Sequence, residues 1–338
     1  MTGQITLKDV AAHAGVSRTT ASYVVMGTGR VSQKTRDRVN QSIRTLGYVY
    51  NRGAASLRTQ RSGTIGVIVT NIASPFFGEL LVGLESELSK AGFLSLIVAT
   101  ADDPQRQDEL VKALREHQVA GLALVPASGT GSGFLHSLKD WGVPHILMTR
   151  YLDGITAPYV GADDVLGGRL AAEHLLAHGC KSFAYLGGPV KVLSRRDRIA
   201  GARGALAEYG LGPDALLDMP GETSGPGGLA LGEQLLARPE PLPDAIICHS
   251  DSVAFGLYRA LRMHGRTNDV RVIGYDDVSG AALWEPPLTS IATHGEDLGR
   301  TAARLLLDQL NDAEGNMAST IALPELIVRE SCGCPATP

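Results

Sequence analysis

The residues with the clearest chemical role lie near the N-terminus, where Arg18, Thr19 and Tyr23 share the polar side of an amphipathic stretch. A guanidinium can pair with both acceptors on the major-groove edge of guanine, and hydroxyl groups reach base edges or phosphates. Ser17, directly before this stretch, is a residue type that caps helices. The pattern therefore predicts a helix whose exposed side contacts double-stranded DNA.

Two short predicted helices, hinged on a glycine, position this face. Thr6 caps the first helix, with Asp9 completing the capping pair, and Gly15 permits a sharp turn before the second. In a helix-turn-helix, the N-terminal part of the second helix enters the major groove. A third helix over residues 33–46, capped by Ser32, completes a small core. An ordinary helical hairpin is the alternative interpretation.

The distribution of charge favours DNA binding over the hairpin. Residues 1–61 contain ten lysines and arginines against two aspartates, which gives this segment a net charge of +8. The whole chain carries −4, so residues 62–338 carry −12. Positive charge concentrated in one small module is what neutralisation of phosphates requires.

Composition bounds the class of protein. A chain of 338 residues with 44% hydrophobic content buries a large core and is expected to form more than one domain. No run of about 18 apolar residues predicts a membrane span, and the start of the chain lacks the pattern of a signal peptide. We therefore expect a cytoplasmic protein with no membrane partner.

The four cysteines are Cys180, Cys248, Cys332 and Cys334, and they do not form a disulfide framework in a chain of this size. The tail pair, Cys332 and Cys334, has the spacing of a metal or redox pair. Because no histidine lies near it in the sequence, evidence for a zinc site is weak. We expect packing cysteines, no metal and no cofactor.

From residue 63, short apolar runs alternate with helical stretches, the rhythm of parallel sheets with crossover helices. Strands are predicted at residues 64–69, 94–100, 121–125 and 145–148, then at 182–186, 245–248 and 270–273. Helices are predicted near residues 77–91, 104–118, 134–141, 164–178, 195–209, 227–237, 250–264 and 296–310. Two series predict two doubly wound α/β lobes, with a ligand cleft at the carboxyl ends of the strands. Phosphate-loop, dinucleotide-binding and hydrolase motifs are absent from the sequence.

The predicted domains follow from these patterns. An all-α helix-turn-helix head spans residues 1–50, a linker or hinge 51–62, the core 63–330 and a tail 331–338. Lobe 1 takes residues of about 63–160 plus 292–320, and lobe 2 takes about 161–291 plus 321–330. The basic segment 51–59 is either a plain linker or a hinge that folds against DNA and inserts Leu57 into the minor groove.

The chain resembles the LacI/GalR family of transcriptional regulators along nearly its whole length. The resemblance rests on TLKDVAAHAGVS, VSQKTRDRV, LGYVYNRGAASLRT, TIGVIVTNIASPFF, DRIAGARGAL, VIGYDDV and PPLTSI, in family order and spacing. It implies a periplasmic-binding-protein-like core and a dimer on a pseudopalindromic operator. It also implies that a small molecule in the cleft changes operator affinity.

The resemblance also implies site residues. Those implied for DNA binding are Thr6, Ser17, Arg18, Thr19, Tyr23, Ser32, Ala54 and Leu57. Those implied for the effector are Phe76, Phe77, Ser194, Arg198 and Asp276, with Thr149, Thr223, Ser250, Trp284 and His294 as further candidates. A carboxylate, a guanidinium and an aromatic ring suit a polyhydroxyl ligand. Alternatively, Arg198 pairs structurally with Asp276 or Asp251, and Phe76 belongs to the core.

Several positions depart from the family pattern. Arg18 stands where an uncharged residue is more usual, which favours a guanine contact, and Met26 replaces an asparagine. Thr223 stands where relatives place a stacking aromatic residue, and Thr149 where many have an acid. We therefore expect Trp284 or His294 to supply the missing ring or donor. Val192 replaces a basic residue of purine-binding members, which disfavours a purine.

We therefore predict a repressor of carbohydrate-utilisation genes that responds to a sugar or sugar phosphate. A homodimer is expected because the C-terminal sequence lacks a leucine heptad. A transport-type solute-binding protein is one alternative, and it would need an export signal. A cleft enzyme using Asp276, Asp251 and His249 as acid-base groups is the other.

Overall fold

The computed structural model describes residues 5–49, 62–154, 156–311 and 319–335. The chain divides between Ser62 and Gly63 into two compact units. Apart from Ser62, the predicted hinge, including Ala54 and Leu57, lies outside the described residues. In the part of the chain that is described, no helix is long and apolar enough to cross a membrane.

Within residues 5–49, the N-terminal unit contains three helices, α1 (Leu7–Ala14), α2 (Arg18–Val25) and α3 (Gln33–Leu46). Its core includes Val10, Ala21 and Val39, which are fully buried. Gly15 has a φ of +60°, a left-handed conformation that favours glycine, and it ends α1 directly before the turn into α2. The predicted helix-turn-helix arrangement is therefore present.

The second unit alternates strands and helices. Its first series is β1 (Thr64–Val69), α4 (Pro75–Lys90), β2 (Leu94–Ala99), α5 (Pro104–Glu116), β3 (Gly121–Leu124), α6 (Ser132–Trp141), β4 (His145–Met148) and β5 (Tyr159–Ala162). Its second series is α7 (Asp164–Ala177), β6 (Phe183–Leu186), α8 (Leu193–Glu208), β7 (Leu216–Met219), α9 (Gly225–Leu236), β8 (Ala245–Cys248), α10 (Asp251–Met263), β9 (Arg271–Asp276) and β10 (Thr289–Ala292). It closes with α11 (Gly295–Asn311), β11 (Thr320–Ala322), β12 (Glu325–Ile327) and a 3-10 turn at Glu330–Cys332.

Two six-stranded sheets define two lobes. In lobe 1 the strand order is β11-β5-β4-β3-β1-β2, and every neighbouring pair is parallel. In lobe 2 the order is β12-β10-β9-β8-β6-β7, parallel except for the antiparallel pairing of β12 with β10. The chain crosses between the sheets after β5, after β10 and after β11. The predicted two-lobed α/β fold is confirmed.

Close helix packing supports lobe 2 near its ligand-facing end. A Cβ atom on Gly168 of α7 would lie 1.9 Å from the carbonyl oxygen of Arg198 in α8. A Cβ atom on Gly201 of α8 would lie equally close to the carbonyl oxygen of Val165. Only glycine permits the two helix backbones to approach this closely. The contact fixes the position of Arg198 relative to the first turn of α7.

The sequence-based elements match the observed ones within a few residues, but five strands were missed. These are β5, β7, β10, β11 and β12, each only three or four residues long. The four-residue strands that were predicted, such as β4 and β8, are mainly apolar, whereas the missed ones are interrupted by glycine or polar residues or have only three residues. The predicted strand at 270–273 extends to Asp276, so this carboxylate is the last residue of β9.

Candidate effector cavity and DNA-binding face

A cavity lies between the two lobes, at the carboxyl ends of several strands. Counted out to its open mouth it encloses about 590 Å³ of empty space. It is lined by Ser74, Phe76, Phe77, Thr149, Arg150, Ala162, Asp164, Ser194, Arg198, Thr223, His249, Ser250, Asp276, Thr293 and Leu298. Eight of the ten effector residues expected from the sequence are among them.

Arg198, on α8, is held in place by lobe 2 itself. Its Nε donates to Oδ1 of Asp164 at 2.7 Å, and its Nη1 donates to the carbonyl oxygen of His249 at 2.6 Å. Its guanidinium carbon lies 3.5 Å from the ring centroid of Tyr275, a cation–π contact. The alternative pairing with Asp276 or Asp251 is therefore wrong, because Asp164 is the partner.

Asp276 differs from Asp164 in having no such partner. Among the described residues, no protein group donates a hydrogen bond to its carboxylate, although Asp276 lines the cavity. Burial raises the pKa of Asp276 well above the ordinary aspartate value, and attraction to the Arg198 cation opposes this rise. The carboxylate is therefore available to accept hydrogen bonds from a ligand.

Two threonine hydroxyls at the cavity are also unsatisfied. The Oγ1 atoms of Thr223 and Thr293 are buried from solvent and have no hydrogen-bond partner in the described part of the chain. Both residues line the cavity. Buried hydroxyl groups are normally hydrogen-bonded, to protein or to ordered water, so this pair is able to bond polar groups of a ligand that enters the cavity.

Phe76 and Phe77 open α4 after the N1 proline Pro75, and their ring centroids are 5.4 Å apart. Phe77 is buried within the lobe 1 core, whereas Phe76 is only partly buried against that core. Both also line the cavity. Phe76 thus offers the more accessible apolar surface to a ligand, while Phe77 mainly supports it.

The second arginine of the cavity, Arg150, is also neutralised. Its Nη1 lies 2.5 Å from Oδ1 of Asp102, and Asp102 additionally accepts hydrogen bonds from the backbone nitrogen and hydroxyl of Ser128. Thr149 precedes it with a φ of +58°, so the loop after β4 turns sharply at the cavity wall. Lobe 1 therefore contributes no unpaired charge through Arg150.

The proposed acid-base trio of the enzyme alternative is not assembled. Asp251 does not line the cavity; its carboxylate accepts from Ser290 Oγ at 2.6 Å and from Val278 N at 2.8 Å. His249 shares a 2.9 Å hydrogen bond with the hydroxyl of Tyr185. Burial, with nearby arginines, holds the pKa of His249 well below the usual range, so the ring is neutral. Of the three groups, only the Asp276 carboxylate remains free.

Trp284 and His294 do not line the cavity, which corrects their expected placement. Trp284 stacks on Phe255 with ring centroids 4.3 Å apart, and both pack against the lobe 2 core. His294 is exposed, and its Nε2 lies 3.9 Å from the carboxylate of Glu325. Sequence reasoning instead missed Asp164 and Thr293, which follow β5 and β10, two strands that the sequence did not predict.

Ser194 and Ser250 line the cavity from the N-terminal ends of two helices. Ser194 is buried in the first turn of α8, and Ser250 is the N-cap of α10, where its Oγ accepts from Val253 N at 3.4 Å. Helix N-termini present backbone donors and a positive dipole end. Both serines therefore place polar groups at the lobe 2 wall.

The three predicted base-reading residues lie on the exposed side of α2. Arg18 and Thr19 occupy its first turn, and the Tyr23 side chain is 42% exposed. Ser17 caps this helix by accepting from Thr20 N at 3.1 Å. The side chains are thus fixed on a capped helix but free at their polar ends.

The other caps are also formed. The backbone nitrogen and Oγ1 of Thr6 both donate to the carboxylate of Asp9, at 2.8 and 2.7 Å. Ser32 Oγ accepts from Thr35 N at 3.4 Å at the start of α3. These hydrogen bonds satisfy donors at the helix ends and fix the geometry of the turn.

The head carries cations without internal partners. Within residues 5–49, none of the basic side chains forms an ion pair; these are Lys8, Arg18, Arg30, Lys34, Arg36, Arg38 and Arg44. The two aspartates of the same range are engaged locally, Asp9 by Thr6 and Asp37 by Gln33 Nε2 at 2.9 Å. Unpaired cations on a small domain suit contact with DNA phosphates.

A helix-turn-helix unit and a two-lobed unit with a ligand-sized cavity define a class: ligand-responsive DNA-binding proteins. The model of bacterial regulatory proteins of the lacI family matches residues 6–51, and that of the periplasmic binding protein-like domain matches residues 172–332. The transcriptional regulator CelR of Thermobifida fusca is 34% identical over 336 residues, covering 96% of this chain and 98% of the relative.

Two further proteins extend the comparison. The maltose regulon regulatory protein MalI of Escherichia coli K12 is 31% identical, with 96% of this chain and 98% of the relative covered. The structure of a lac repressor dimer bound to operator and the anti-inducer ONPF has a TM-score of 0.85 at 28% identity, covering 98% of this chain and 99% of that chain. The chain belongs to the LacI family of bacterial transcriptional regulators, whose members are DNA-binding regulators rather than enzymes.

Proposed function

We propose that this chain represses transcription from a pseudopalindromic operator and releases it when a neutral sugar binds between the lobes. The observation that carries the proposal is the Asp276 carboxylate, which lines the cavity and accepts no hydrogen bond from any residue that the structure describes. In the same cavity, the hydroxyls of Thr223 and Thr293 also lack hydrogen-bond partners in the described part of the chain. A carboxylate accepts from vicinal hydroxyls, and threonine hydroxyls both donate and accept. A polyhydroxyl ligand satisfies all three.

The charged side chains of the cavity distinguish a neutral sugar from a sugar phosphate as the expected ligand. Arg198 is paired with Asp164 and Arg150 with Asp102, so neither cation is left to balance a phosphate. In its ionised form the Asp276 carboxylate would also repel an anion in the same cavity. The balance of charge therefore favours an uncharged carbohydrate and disfavours the phosphate form.

The apolar part of the cavity supports the same ligand class. Phe76 presents a partly buried ring, and the Leu298 side chain lies at the same cavity. The C–H face of a sugar packs against such surfaces while its hydroxyls point to polar groups. Solved relatives agree with this class: one is a CelR–cellobiose complex, 32% identical with a TM-score of 0.73, and another is a LacI-family regulator with bound ribose.

For DNA binding we propose Arg18, Thr19 and Tyr23 as base-contacting residues, with Thr6, Ser17 and Ser32 at the helix ends near phosphates. Each of the three helix-end residues lies beside N-terminal backbone groups that bind anions well. For the hinge we propose Ala54 and Leu57 at the minor groove, on the family resemblance alone. A regulator of operator DNA works where the chromosome lies, so we also propose a cytoplasmic location.

We propose a homodimer, as in the lac repressor dimer bound to operator. Exposed apolar side chains on lobe 1 support a dimer. In the single chain Val82 of α4 is 58% exposed, and Leu94 and Ile97 of the edge strand β2 are 64% and 36% exposed. Exposed apolar groups on neighbouring elements are typical of protein interfaces. A two-fold dimer would place its two heads on operator half-sites about one DNA turn apart.

A thermal-shift screen of the purified chain tests the effector class. The panel contains cellobiose, ribose and other neutral sugars, each matched with its phosphorylated form where one exists. A ligand at 100 times its Kd stabilises the folded protein by about 2.7 kcal/mol, so a neutral sugar should raise Tm measurably. Stabilisation by sugar phosphates alone would overturn the charge argument. Absence of any shift across the panel would reject the carbohydrate class.

A further inference from the structure

Two histidines and two cysteines, far apart in sequence, converge on one side of lobe 2. One side-chain ligand atom from each of His174, His178, Cys332 and Cys334 lies within 4.8 Å of all the others. Cys334 Sγ is 3.2 Å from His178 Nε2 and 3.9 Å from His174 Nε2. Neither the cavity nor the DNA-binding head uses these four residues.

Two elements build this cluster. His174 lies in the last turn of α7 and His178, four residues later, is the C-cap of the same helix, so their rings lie on one side of it with centroids 4.8 Å apart. The cysteines lie on the segment that follows β12, at the end of the 3-10 turn. Gly333 between them has a φ of +86°, and this left-handed residue turns the chain between the two cysteines.

The cysteine segment is anchored independently of any ligand. Ser331 Oγ donates to the carbonyl oxygen of Val272 at 2.7 Å and accepts from Thr289 N, also at 2.7 Å. Cys332 is fully buried, and its Sγ accepts a hydrogen bond from Thr289 Oγ1 at 3.2 Å. The sulfur is therefore oriented before binding, and a hydrogen bond of this kind also stabilises a thiolate that ligates a metal.

We propose that His174, His178, Cys332 and Cys334 bind a structural zinc ion. Zinc–sulfur bonds of about 2.3 Å and zinc–nitrogen bonds of about 2.0–2.1 Å in a tetrahedron put ligand atoms roughly 3.3–3.8 Å apart. The two distances from Cys334 Sγ, 3.2 and 3.9 Å, bracket that range. Two thiolates and two imidazoles form a Cys₂His₂ set, which zinc prefers over harder cations.

The charge and the ligand count fit a structural role. Two thiolates neutralise a divalent ion, and two neutral imidazoles add no charge. The side chain of Arg271 borders the turn: its Nε lies 3.0 Å from where a Cβ atom on Gly333 would be. This Nε atom has no hydrogen-bond partner among the described residues. Because four protein ligands fill a tetrahedron, no position is left open for catalysis. The ion would fasten the segment after β12 to α7.

The position of the proposed zinc site relates it to the effector cavity. The same helix, α7, begins at Asp164, which holds Arg198 at the cavity, and ends beside the two histidines. Zinc would therefore stabilise the far end of the helix that supports the ligand-binding arginine. Metal binding is expected to raise the thermal stability of lobe 2 without adding a group to the cavity.

The test measures metal content and coordination in the full chain, purified under reducing conditions without a polyhistidine tag or chelator. Mass spectrometric metal analysis should find one zinc per chain in the wild type. Cys334→Ser and His178→Asn should lose it, while the control Cys248→Ala, altered in a separate core, should keep it. Cobalt added to the apoprotein should give the visible absorption of a tetrahedral site and a sulfur-to-cobalt charge-transfer band.

Three results would overturn the proposal. The first is a reduced, folded wild-type chain that takes up neither zinc nor cobalt. The second is metal uptake by Cys334→Ser equal to that of the wild type. The third is a Cys332–Cys334 disulfide that persists under the same reducing conditions. If a variant fails to fold, the cobalt spectrum of the wild type still decides, because sulfur-to-cobalt absorption requires cysteine ligation.

Discussion

Arg198 and Asp164 form an ion pair at the cavity wall, with Nε and Oδ1 2.7 Å apart. The pair joins the first turn of α7 to the second turn of α8, and the Tyr275 hydroxyl donates to the same Asp164 oxygen at 3.1 Å. The side chains of Arg198 and Asp164 are only 12% and 7% exposed. Arg198 is thus positioned by lobe 2, and Asp276 is left for the ligand.

The pair predicts strong coupling in stability. Asp164→Asn removes one charge and leaves the Arg198 cation buried without its counter-ion, which costs roughly 3–5 kcal/mol of unfolding free energy. Asp164→Asn combined with Arg198→Met should be less destabilised than Asp164→Asn alone, because no unpaired charge remains. Urea unfolding of the three variants and the wild type completes a double-mutant cycle. Additive losses would show that the two side chains do not act as a pair.

The raised pKa of Asp276 predicts that sugar affinity depends on pH. Ligand hydroxyls donate to the ionised carboxylate, so binding favours ionisation and releases protons. Affinity should therefore rise with pH, by at most tenfold per unit, until pH exceeds the raised pKa of the free protein, and then level off. Calorimetry in two buffers of different ionisation enthalpy measures the released protons.

Asp276→Asn is the matched control for this pH dependence, since it keeps the shape of the side chain and cannot ionise. Its residual sugar binding should be independent of pH over the same range. Without ligand, the raised pKa has the opposite consequence for folding. The contribution of Asp276 to unfolding free energy falls as pH rises from the ordinary aspartate value to the raised one. If the proton release on sugar binding persisted unchanged in Asp276→Asn, the pH dependence of sugar affinity would belong to another group.

The lobes are joined by hydrogen bonds outside the cavity. Tyr151, between β4 and β5 of lobe 1, donates to Asp197 of α8 at 2.6 Å and accepts from Arg196 at 2.8 Å. Burial and Asp197 raise the pKa of Tyr151 to about 12, so the phenol stays protonated. Ser279 N of lobe 2 donates to Glu79 of lobe 1 at 2.9 Å.

Tyr151→Phe should therefore weaken sugar binding without removing a cavity-lining side chain, because the arrangement of the lobes around the cavity loses a hydrogen bond to a charged partner. We expect a rise in Kd of up to about tenfold, or about 1.4 kcal/mol. Tyr209→Phe, at a side chain that is 61% exposed, is the control and should match the wild type. Equal affinities for all three proteins by calorimetry would mean that this contact does not hold the lobes together.

Arg18→Ala should reduce specific DNA binding more than non-specific binding. The loss on operator should be roughly 1–3 kcal/mol if the guanidinium contacts guanine in a bidentate manner. Fluorescence anisotropy with operator and scrambled duplexes at one salt concentration measures both affinities. Arg106→Ala, at an exposed arginine of α5, should change neither. An equal loss on both duplexes would assign Arg18 to phosphate contact alone.

The sequence predicted the fold well where its signal is local. Long helices and the buried strands β1 and β8 follow directly from apolar patterns and from caps such as Ser17 and Ser32. Partly exposed strands of three residues, such as β11 and β12, gain their stability from neighbours in the sheet and leave little trace in the sequence. Their pairing depends on contacts that close only after the chain has crossed between lobes.

Most of the proposed effector residues could be predicted from the sequence, but the ion pairs between cavity residues could not. The family resemblance supplied Phe76, Ser194, Arg198 and Asp276, and all four line the cavity. That Arg198 pairs with Asp164 depends on how closely α7 and α8 approach, which no spacing in the sequence reports. The same limit applies to Cys332 and Cys334, because their histidine neighbours lie on α7, more than 150 residues earlier.

The most direct test measures operator affinity with and without the best neutral sugar from the screen, in the wild type and in Asp276→Asn. Mobility shift uses a duplex from the region upstream of the gene, at fixed salt. Both proteins should bind the duplex equally without sugar, and the sugar should weaken only wild-type binding, by roughly 5–150-fold. Equal release of both proteins by the sugar, or failure of Asp276→Asn to bind DNA, would contradict the assignment of Asp276 to the effector.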